Sequence, residues 1–363
     1  MAYHGLAINQ DGSLDPCCQY TRPPASNGMM YWDHHEFSSH VRQKMHEDWQ
    51  QGIAHQGCQK CYREEDLGWT SLRQHAIQWY GVDNTDQIYD LELRLGNLCN
   101  LKCIMCSPGA SSSIATERYV HRTEFGRIGL DLQKPWMLSS WWEDSRFFQV
   151  LDHVLPQCKR INITGGEPFL IPQVAEILQR LPESATVSFN TNLSGVPHKI
   201  LTGLQRLPKV SIMISLEGTG PMNDYLRYPS KWQDIVHNLQ ILKRDVPHAE
   251  LGVNHTFQHA SVYSLPALAK MCVEHDLTLQ MTTVQGMPWL TLNSVPVTDL
   301  DQMRVWARHS SDLDPKSQRF VVNACDAAHF DHDLYLRYRD YVNTLDQVRG
   351  TSYDSIFCPA VPG

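Results

Sequence analysis

The sequence predicts an α/β protein with a partial (β/α)6 barrel of the TIM type, preceded by a small N-terminal module that contains cysteines. The first observation is that short aliphatic and β-branched segments alternate with segments of helical periodicity. This alternation is typical of parallel strands joined by crossover helices. The predicted strands are 91–95, 160–164, 186–190, 209–215, 250–256 and 278–283. Predicted helices are 111–120, 174–181, 232–243 and 262–274.

The second observation is that polar residues follow the ends of several predicted strands. Asn192 follows the third strand, Ser215 ends the fourth and Glu217 follows it, and Asn254 lies on the fifth. Carboxyl ends of parallel strands share one edge of a sheet, where barrel enzymes place their functional residues. A polar residue at a strand end is also a common cap or turn residue, so the structural interpretation stays open for each of the four.

The loop after the first strand carries three cysteines, Cys99, Cys103 and Cys106, within eight residues. A structural zinc site is normally closed by four protein ligands. An iron–sulfur cluster with three cysteine ligands instead leaves one iron open to a small molecule. The loop therefore favours a cluster with an open position, and a zinc-binding interaction protein without catalytic activity is the alternative.

The second strand runs into a Gly165-Gly166-Glu167-Pro168 segment. Two glycines allow a ligand to approach the backbone closely, and the Glu167 carboxylate can accept hydrogen bonds from an ammonium group. Pro168 stiffens the chain after the turn. An isolated segment of this kind is more often an ordinary turn, so its meaning depends on the cysteine loop.

Together, the C-x3-C-x2-C loop after the first strand and the GGE segment after the second resemble the signature of the radical S-adenosylmethionine (AdoMet) superfamily. The resemblance implies a [4Fe-4S] cluster on Cys99, Cys103 and Cys106, with AdoMet bound to its fourth iron. The sequence departs from the family pattern at Met105, where an aromatic residue is common. The residues that the resemblance implies for AdoMet binding are Gly165, Gly166, Glu167, Asn192 and Ser215.

The first 88 residues form a separate part of the sequence. Residues 6–14 predict a hairpin with its turn at Asp11-Gly12. A Cys17-Cys18 pair follows it, and a Cys58-x2-Cys61 pair follows a predicted helix at 36–51. A C-x2-C pair with a distant cysteine suits zinc, iron–sulfur or redox chemistry.

This N-terminal pattern resembles the auxiliary-cluster modules known as SPASM or twitch domains, mainly through the cysteine-containing string at 57–73. The resemblance implies a second iron–sulfur cluster on Cys17, Cys58 and Cys61, and zinc is the weaker alternative. Cys18 or Cys358 is the candidate for a fourth ligand. The cysteines in apolar helical patterns are predicted to be buried without a metal role: Cys158, Cys272 and Cys325.

These features divide the 363-residue chain into an N-terminal module (1–88), a core barrel (89–295) and a helical C-terminal extension (296–363). A formal net charge of −8 argues against a globally basic nucleic-acid-binding protein. Residues 1–10 lack the layout of a signal peptide, and apolar runs are too short to cross a membrane. We therefore expect a cytoplasmic protein, in which eleven cysteines favour metal and catalytic roles over disulfides.

By the same resemblance, the protein cleaves AdoMet reductively to a 5′-deoxyadenosyl radical, which removes a hydrogen atom from the substrate. The electron comes from an external donor such as flavodoxin or ferredoxin. Auxiliary-cluster enzymes commonly modify peptides, so a peptide is the first expectation for the substrate. A nucleotide or a modified DNA base is the alternative.

Overall fold

The computed structural model describes residues 4–21, 35–66, 70–81, 87–133 and 140–357. Cys358, a candidate ligand from the sequence, and residues 67–69 of the cysteine-containing string lie outside this part. The strands within the described residues are β1 (Gly5–Ile8), β2 (Leu14–Asp15), β3 (Asp90–Leu95), β4 (Arg160–Gly165), β5 (Thr186–Thr191), β6 (Lys209–Ser215), β7 (Glu250–Phe257) and β8 (Thr278–Thr283).

Helices follow most of the strands. They are α1 (His35–Gln50), α2 (Gln59–Asp66), α3 (Leu72–Tyr80), α4 (Ser112–Val120), α5 (Arg122–Gly126), α6 (Ser145–Val154), α7 (Gln173–Arg180), α8 (His198–Arg206), α9 (Gly220–Leu226), α10 (Trp232–Asp245), α11 (Ser261–Glu274), α12 (Val297–His309), α13 (Pro315–Asp326), α14 (His332–Arg349) and α15 (Tyr353–Phe357).

The strands form a mostly parallel sheet in the order β2-β1-β3-β4-β5-β6-β7-β8. The predicted α/β class is confirmed. Both ends of each of the six predicted barrel strands lie within one residue of the ends of the observed strand. Strand β4 pairs in parallel with β3 on one side and with β5 on the other. Its register with β3 places Gly165 opposite Leu95.

The N-terminal hairpin forms as predicted, with β1 antiparallel to β2. Its turn is closed by a hydrogen bond of 2.8 Å from Asn9 N to Ser13 O, and Gly12 adopts a φ of 84° that favours glycine. The sequence analysis did not anticipate that β1 also pairs in parallel with β3. The hairpin therefore extends the same sheet that carries the cysteine loop at the end of β3.

The chain divides into two compact units. The first comprises residues 1–98, 138–189 and 197–211, and its core includes buried aliphatic residues of β1, β3, β4 and α7. Two tryptophans complete this core. The Trp141 indole N–H donates to Gln10 O at 2.9 Å, and the Trp142 ring packs against Gly96, which has a φ of 56°.

The second unit comprises residues 99–137, 190–196 and 212–363. One of its cores packs α14 and α15 against aromatic and aliphatic residues that include Ile104 and Trp289. Asp331 caps the start of helix α14, because its carboxylate accepts hydrogen bonds from two backbone N–H groups. Gly350 caps the end of the helix in the left-handed region. Clear start and stop signals therefore fix the length of the helix that supports the cysteine loop.

In the part of the chain that the structure describes, every helix falls short of the combination of length and apolarity that spanning a bilayer requires.

Replacing Ile161 by Ala tests the core of the first unit. Ile161 is fully buried on β4, between Leu91 of β3 and Val187 of β5. We expect the free energy of unfolding, measured by urea denaturation, to fall by about 2–5 kcal/mol, because the substitution leaves a cavity. Val305→Ala, at a side chain with 58% exposure, is the control and should change it by less than about 0.5 kcal/mol. Equal effects of the two substitutions would contradict the packing described for β4.

Candidate functional site

The backbone of the cysteine loop is fixed on both sides of Cys103. Lys102 N donates to Tyr228 O at 2.6 Å, and Ile104 N donates to Leu226 O at 2.9 Å. These two bonds align the loop with the segment that follows α9. As a result, Cys103 lies beside Arg227, the residue between the two acceptors.

Helix α14 satisfies the carbonyl groups of the same loop. The Arg349 guanidinium donates to Lys102 O at 2.9 Å, and the Tyr341 hydroxyl donates to Ile104 O at 2.7 Å. Arg349 also forms an ion pair of 2.7 Å with Glu117 of α4, and both side chains are almost fully buried. Removing either partner of a buried ion pair destabilises the protein, because the other charge is left without a partner. The pair therefore holds α14 in one position against the loop.

Cys99 lies at the start of the loop among polar groups. Its sulfur is 3.5 Å from the backbone N of Leu101 and 4.0 Å from Nδ2 of Asn192. Its carbonyl accepts a hydrogen bond of 2.7 Å from the Ser113 hydroxyl at the start of α4. N–H groups close to sulfur stabilise a thiolate and the cluster it ligates.

Cys103 is the most enclosed of the three cysteines. Burial raises the pKa of its thiol to about 12, although the Arg227 guanidinium beside it acts in the opposite direction. Nη1 of Arg227 is 3.6 Å from the Cys103 sulfur, and Nη2 forms an ion pair of 2.7 Å with Glu217. Burial lowers the pKa of the Arg227 guanidinium, but its interactions with Cys103 and Glu217 leave that pKa raised overall.

Glu217 connects this arginine to the end of β7. Its second carboxylate oxygen accepts a hydrogen bond of 3.1 Å from Thr256 N and lies 3.2 Å from Nδ1 of His255. Burial lowers the pKa of His255, which keeps the imidazole neutral. Among the described residues, Nε of Arg227 and Nε2 of His255 are buried without a hydrogen-bond partner.

The GGE segment lies in the first unit. Gly165 has a φ of 130°, and a Cβ added to it would lie 2.6 Å from Leu95 N. A Cβ added to Gly166 would lie 2.1 Å from Leu98 O. Both glycines are therefore required, because the backbone at the end of β3 and just after it passes directly over them.

Glu167 is buried and is held at both its backbone and its side chain. Its N–H donates to Leu98 O at 2.7 Å, and its carboxylate accepts a hydrogen bond of 3.0 Å from Phe169 N. Leu98 is followed directly by Cys99 in the chain. The GGE turn thus orders the residue from which the cysteine loop begins.

The other two residues implied for AdoMet binding lie in the second unit. Asn192 is buried just after β5, where its amide donates to Asn100 at 3.0 Å and its Oδ1 accepts from Ser194 N at 2.9 Å. Ser215 is half-buried and is the last residue of β6. The structure therefore places Asn192 against the cysteine loop, and Ser215 at a strand end two residues before Glu217.

The N-terminal cysteines also come together within the first unit. Thr21 N donates to Gly57 O at 3.0 Å, which joins the segment after Cys17 to the segment before Cys58. The Tyr20 ring packs on Gly57, where an added Cβ would lie 2.1 Å from it. Cys61 is 3.6 Å from Oε1 of Gln19.

Burial dominates the chemistry of the thiols in this second group. It raises the pKa of Cys17 to about 12, and the neighbouring Cys58 and Cys61 add to the effect. It raises the pKa of Cys58 to about 11, while Arg73 acts in the opposite direction. The 17–21 and 57–61 segments thus bring the thiols of Cys17, Cys58 and Cys61 close enough to influence one another.

Across the described residues, no three His, Cys, Asp or Glu side chains are grouped at the spacing of ligands to a single metal ion. The ligands of a [4Fe-4S] cluster each bind a different iron atom, so they need not meet at one point. The loop offers three thiols, and a buried guanidinium with an unpartnered N–H lies beside them. This combination suits a sulfur-rich anionic group. The residues of this loop fit a cluster on chemical grounds.

Arg227 and His255 are the site residues that sequence reasoning missed. Arg227 follows a short helix and belongs to no recognised motif, so only the backbone pairing at 102–104 reveals its contact with Cys103. In the sequence alone, His255 is one residue of a predicted strand in which polar and apolar side chains alternate. Its place on the same sheet edge as Glu217 was the available signal, since His255 follows Asn254 at the end of β7.

One curated relative, the probable GTP 3′,8-cyclase of Methanocaldococcus jannaschii, is 26% identical to the chain over 203 residues. The alignment covers 54% of this chain and 58% of the relative. The chain thus spans less than two thirds of that relative's length. No family model matches the sequence.

The chain is similar to this relative in sequence, and its cysteine loop and GGE segment follow the consecutive parallel strands β3 and β4. Both motifs resemble those of the radical AdoMet superfamily.

Solved structures with some likeness to the chain were also found. Native anSMEcpe with bound AdoMet and the Cp18Cys peptide has a TM-score of 0.41 at 15% identity and covers 61% of this chain and 60% of its own. Streptococcus suis SuiB bound to the precursor peptide SuiA has a TM-score of 0.41 at 13% identity, covering 69% and 58%. TYW1 with a lysine-pyruvate adduct bound has a TM-score of 0.37 at 15% identity. That likeness covers 67% of this chain and 82% of the TYW1 chain.

Replacing Gly166 by Ala tests the close approach that orders the cysteine loop. The added methyl group would collide with the Leu98 carbonyl, so we expect a loss of about 1–3 kcal/mol in the free energy of unfolding. The matched control is Gly195→Ala, because a Cβ there meets nothing within 4 Å. Urea denaturation of the two variants measures the difference, and a Gly166→Ala variant as stable as the control would refute the contact.

Proposed function

We propose that this protein is a radical AdoMet enzyme that cleaves AdoMet reductively and abstracts a hydrogen atom from its substrate. The observation that carries the proposal is the cysteine loop, held in one conformation by its neighbours on both sides of Cys103. When bound, a [4Fe-4S] cluster would pass one electron to AdoMet, which yields a 5′-deoxyadenosyl radical.

The loop cysteines Cys99, Cys103 and Cys106 are the proposed cluster ligands. Support comes from their local chemistry: N–H groups lie near Cys99, and Arg227 offers a positive charge to Cys103. Burial raises the pKa of the Cys106 thiol, and the backbone of Ser107 acts in the opposite direction. Ligation replaces the proton on each thiol, so the raised pKa values do not prevent cluster assembly.

For AdoMet, we propose that Gly165, Gly166 and Glu167 bind the methionyl part, with the Glu167 carboxylate accepting from the ammonium group. The buried position of that carboxylate and its order through Phe169 N support this role. Asn192 and Ser215 are proposed to contact the ribose and carboxylate. Their places after β5 and at the end of β6 support this assignment.

We further propose that the N-terminal cysteines hold an auxiliary iron–sulfur cluster, which would place the chain in the twitch or SPASM subgroup. Cys17, Cys58 and Cys61 are the proposed ligands. The hydrogen bond between Thr21 and Gly57, and the mutual influence of the three thiols, support a shared site. Cys18 and Cys358 are the two candidates for a fourth ligand, and the carbonyl of Cys18 accepts a hydrogen bond of 2.9 Å from Arg94.

For the substrate, we propose a peptide, on the strength of the similarity between the N-terminal cysteine string and auxiliary-cluster modules. A nucleotide or modified DNA base is the second candidate, and the curated relative supports it, since its name gives a nucleotide as substrate. An external donor such as flavodoxin or ferredoxin supplies the electron.

The domain division belongs to the same proposal. It separates residues 1–88, 89–295 and 296–363, and the last part packs on the core.

Replacing Cys103 by Ala should remove the loop cluster, because the two remaining cysteines cannot hold it stably. We expect the iron content of anaerobically reconstituted protein to fall by about four irons per chain if a [4Fe-4S] cluster is lost. Cys272→Ala removes a buried thiol outside both cysteine groups and should leave iron content unchanged. Full iron content in Cys103→Ala would contradict the ligand assignment.

Replacing Cys58 and Cys61 together by Ala should remove the auxiliary cluster alone. We expect lower iron content with AdoMet cleavage still measurable, because the loop cysteines remain. Iron quantification and 5′-deoxyadenosine analysis check the two parts. If iron content matches that of the unchanged protein, the auxiliary cluster does not exist.

The substrate class is tested by adding a peptide fraction or a nucleotide and DNA fraction to the reconstituted enzyme. The class that contains the substrate should increase the rate of 5′-deoxyadenosine formation and should itself change in mass. Stimulation by nucleotides alone would replace the peptide proposal with the second candidate.

A further inference from the structure

Arg227 is a buried cation in direct contact with a proposed cluster ligand. Its Nη1 is 3.6 Å from the Cys103 sulfur, and its Nε has no hydrogen-bond partner among the described residues. Only 9% of the residue is exposed, so water screens its charge weakly. A positive charge in such surroundings acts strongly on any negative group beside it.

The backbone determines this contact. The two hydrogen bonds from Lys102 and Ile104 to Tyr228 and Leu226 flank Cys103 and Arg227 symmetrically. Arg227 N also donates to Asn223 O at 2.8 Å, which ties it to α9. The guanidinium is therefore held beside Cys103 by the main chain as well as by its own ion pair.

Glu217 fixes the other side of the guanidinium. It pairs with Nη2 at 2.7 Å, while Thr256 N and His255 hold its second oxygen at 3.1 and 3.2 Å. The Glu217 carboxylate is fully buried, and each of its two oxygens has a polar partner. A series of contacts thus runs from the end of β7 through Glu217 and Arg227 to Cys103.

We propose that Arg227 is a positioning residue that sets the reduction potential of the loop cluster, with Glu217 and His255 fixing its orientation. This inference rests on the proposed function, because it requires Cys103 to be a ligand. Reduction by the external donor adds one electron to the cluster and removes one from the donor. A fixed cation beside a ligating sulfur stabilises the added negative charge, so it raises the potential, and the buried carboxylate of Glu217 lowers it.

The test is an anaerobic redox titration of the reconstituted full chain without AdoMet, followed by electron paramagnetic resonance of the reduced cluster. We expect Arg227→Gln to reduce the equilibrium constant for cluster reduction at least tenfold, which for one electron is a midpoint about 59 mV lower. Arg227→Lys keeps the charge and should restore part of the shift. Glu217→Gln removes the opposing charge and should move the midpoint upward.

Opposite shifts in Arg227→Gln and Glu217→Gln distinguish a charge effect from structural damage, which would not give opposite signs. Arg339→Gln is the matched control, because it removes a guanidinium paired with Asp354 at 2.7 Å on the C-terminal helices. It should leave the midpoint unchanged. If Arg227→Gln fails to fold, the upward shift in Glu217→Gln carries the test.

Unchanged midpoints in both variants, or shifts of the same sign, would overturn the role of Arg227 while leaving the cluster in place. Absence of any iron–sulfur signal in the unchanged protein would instead refute the proposed function. The two failures are therefore distinguishable in one set of samples.

Discussion

The parallel register of β3 and β4 is the constraint on which the site depends. It sets Gly165 opposite Leu95 and leaves no space for a side chain between the two segments. The GGE turn can then bind the carbonyl of Leu98, the residue before Cys99. A shift of the register by one residue would turn side chains into this space, so the sequence of both strands specifies one alignment.

The cysteine loop is held in place by hydrogen bonds from two sides. The carbonyls of Lys102 and Ile104 are bound by Arg349 and Tyr341 of α14, and their N–H groups are bound by the segment around Arg227. With its main chain satisfied on both sides, the loop would have little freedom to lose on binding the proposed cluster. Preorganisation of this kind lowers the entropic cost of binding.

Periodicity in the sequence was sufficient to predict β3 to β8, because β4 to β8 carry β-branched residues and β3 alternates leucines with polar residues. The cysteine and GGE motifs were also readable, since they depend on local spacing. The pairing of β1 with β3 and the contact of Arg227 with Cys103 were not predictable, because each joins segments more than 80 residues apart. Nothing in the local sequence marks such long-range contacts.

The most direct test of this interpretation is the formation of 5′-deoxyadenosine by anaerobically reconstituted protein given AdoMet and a reductant. The interpretation predicts product from the intact protein and none when Cys99, Cys103 and Cys106 are all replaced by Ala. Absence of product from protein with a fully assembled cluster would contradict it and favour a metal-binding interaction protein. Equal product from the triple variant would contradict the assignment of the three cysteines.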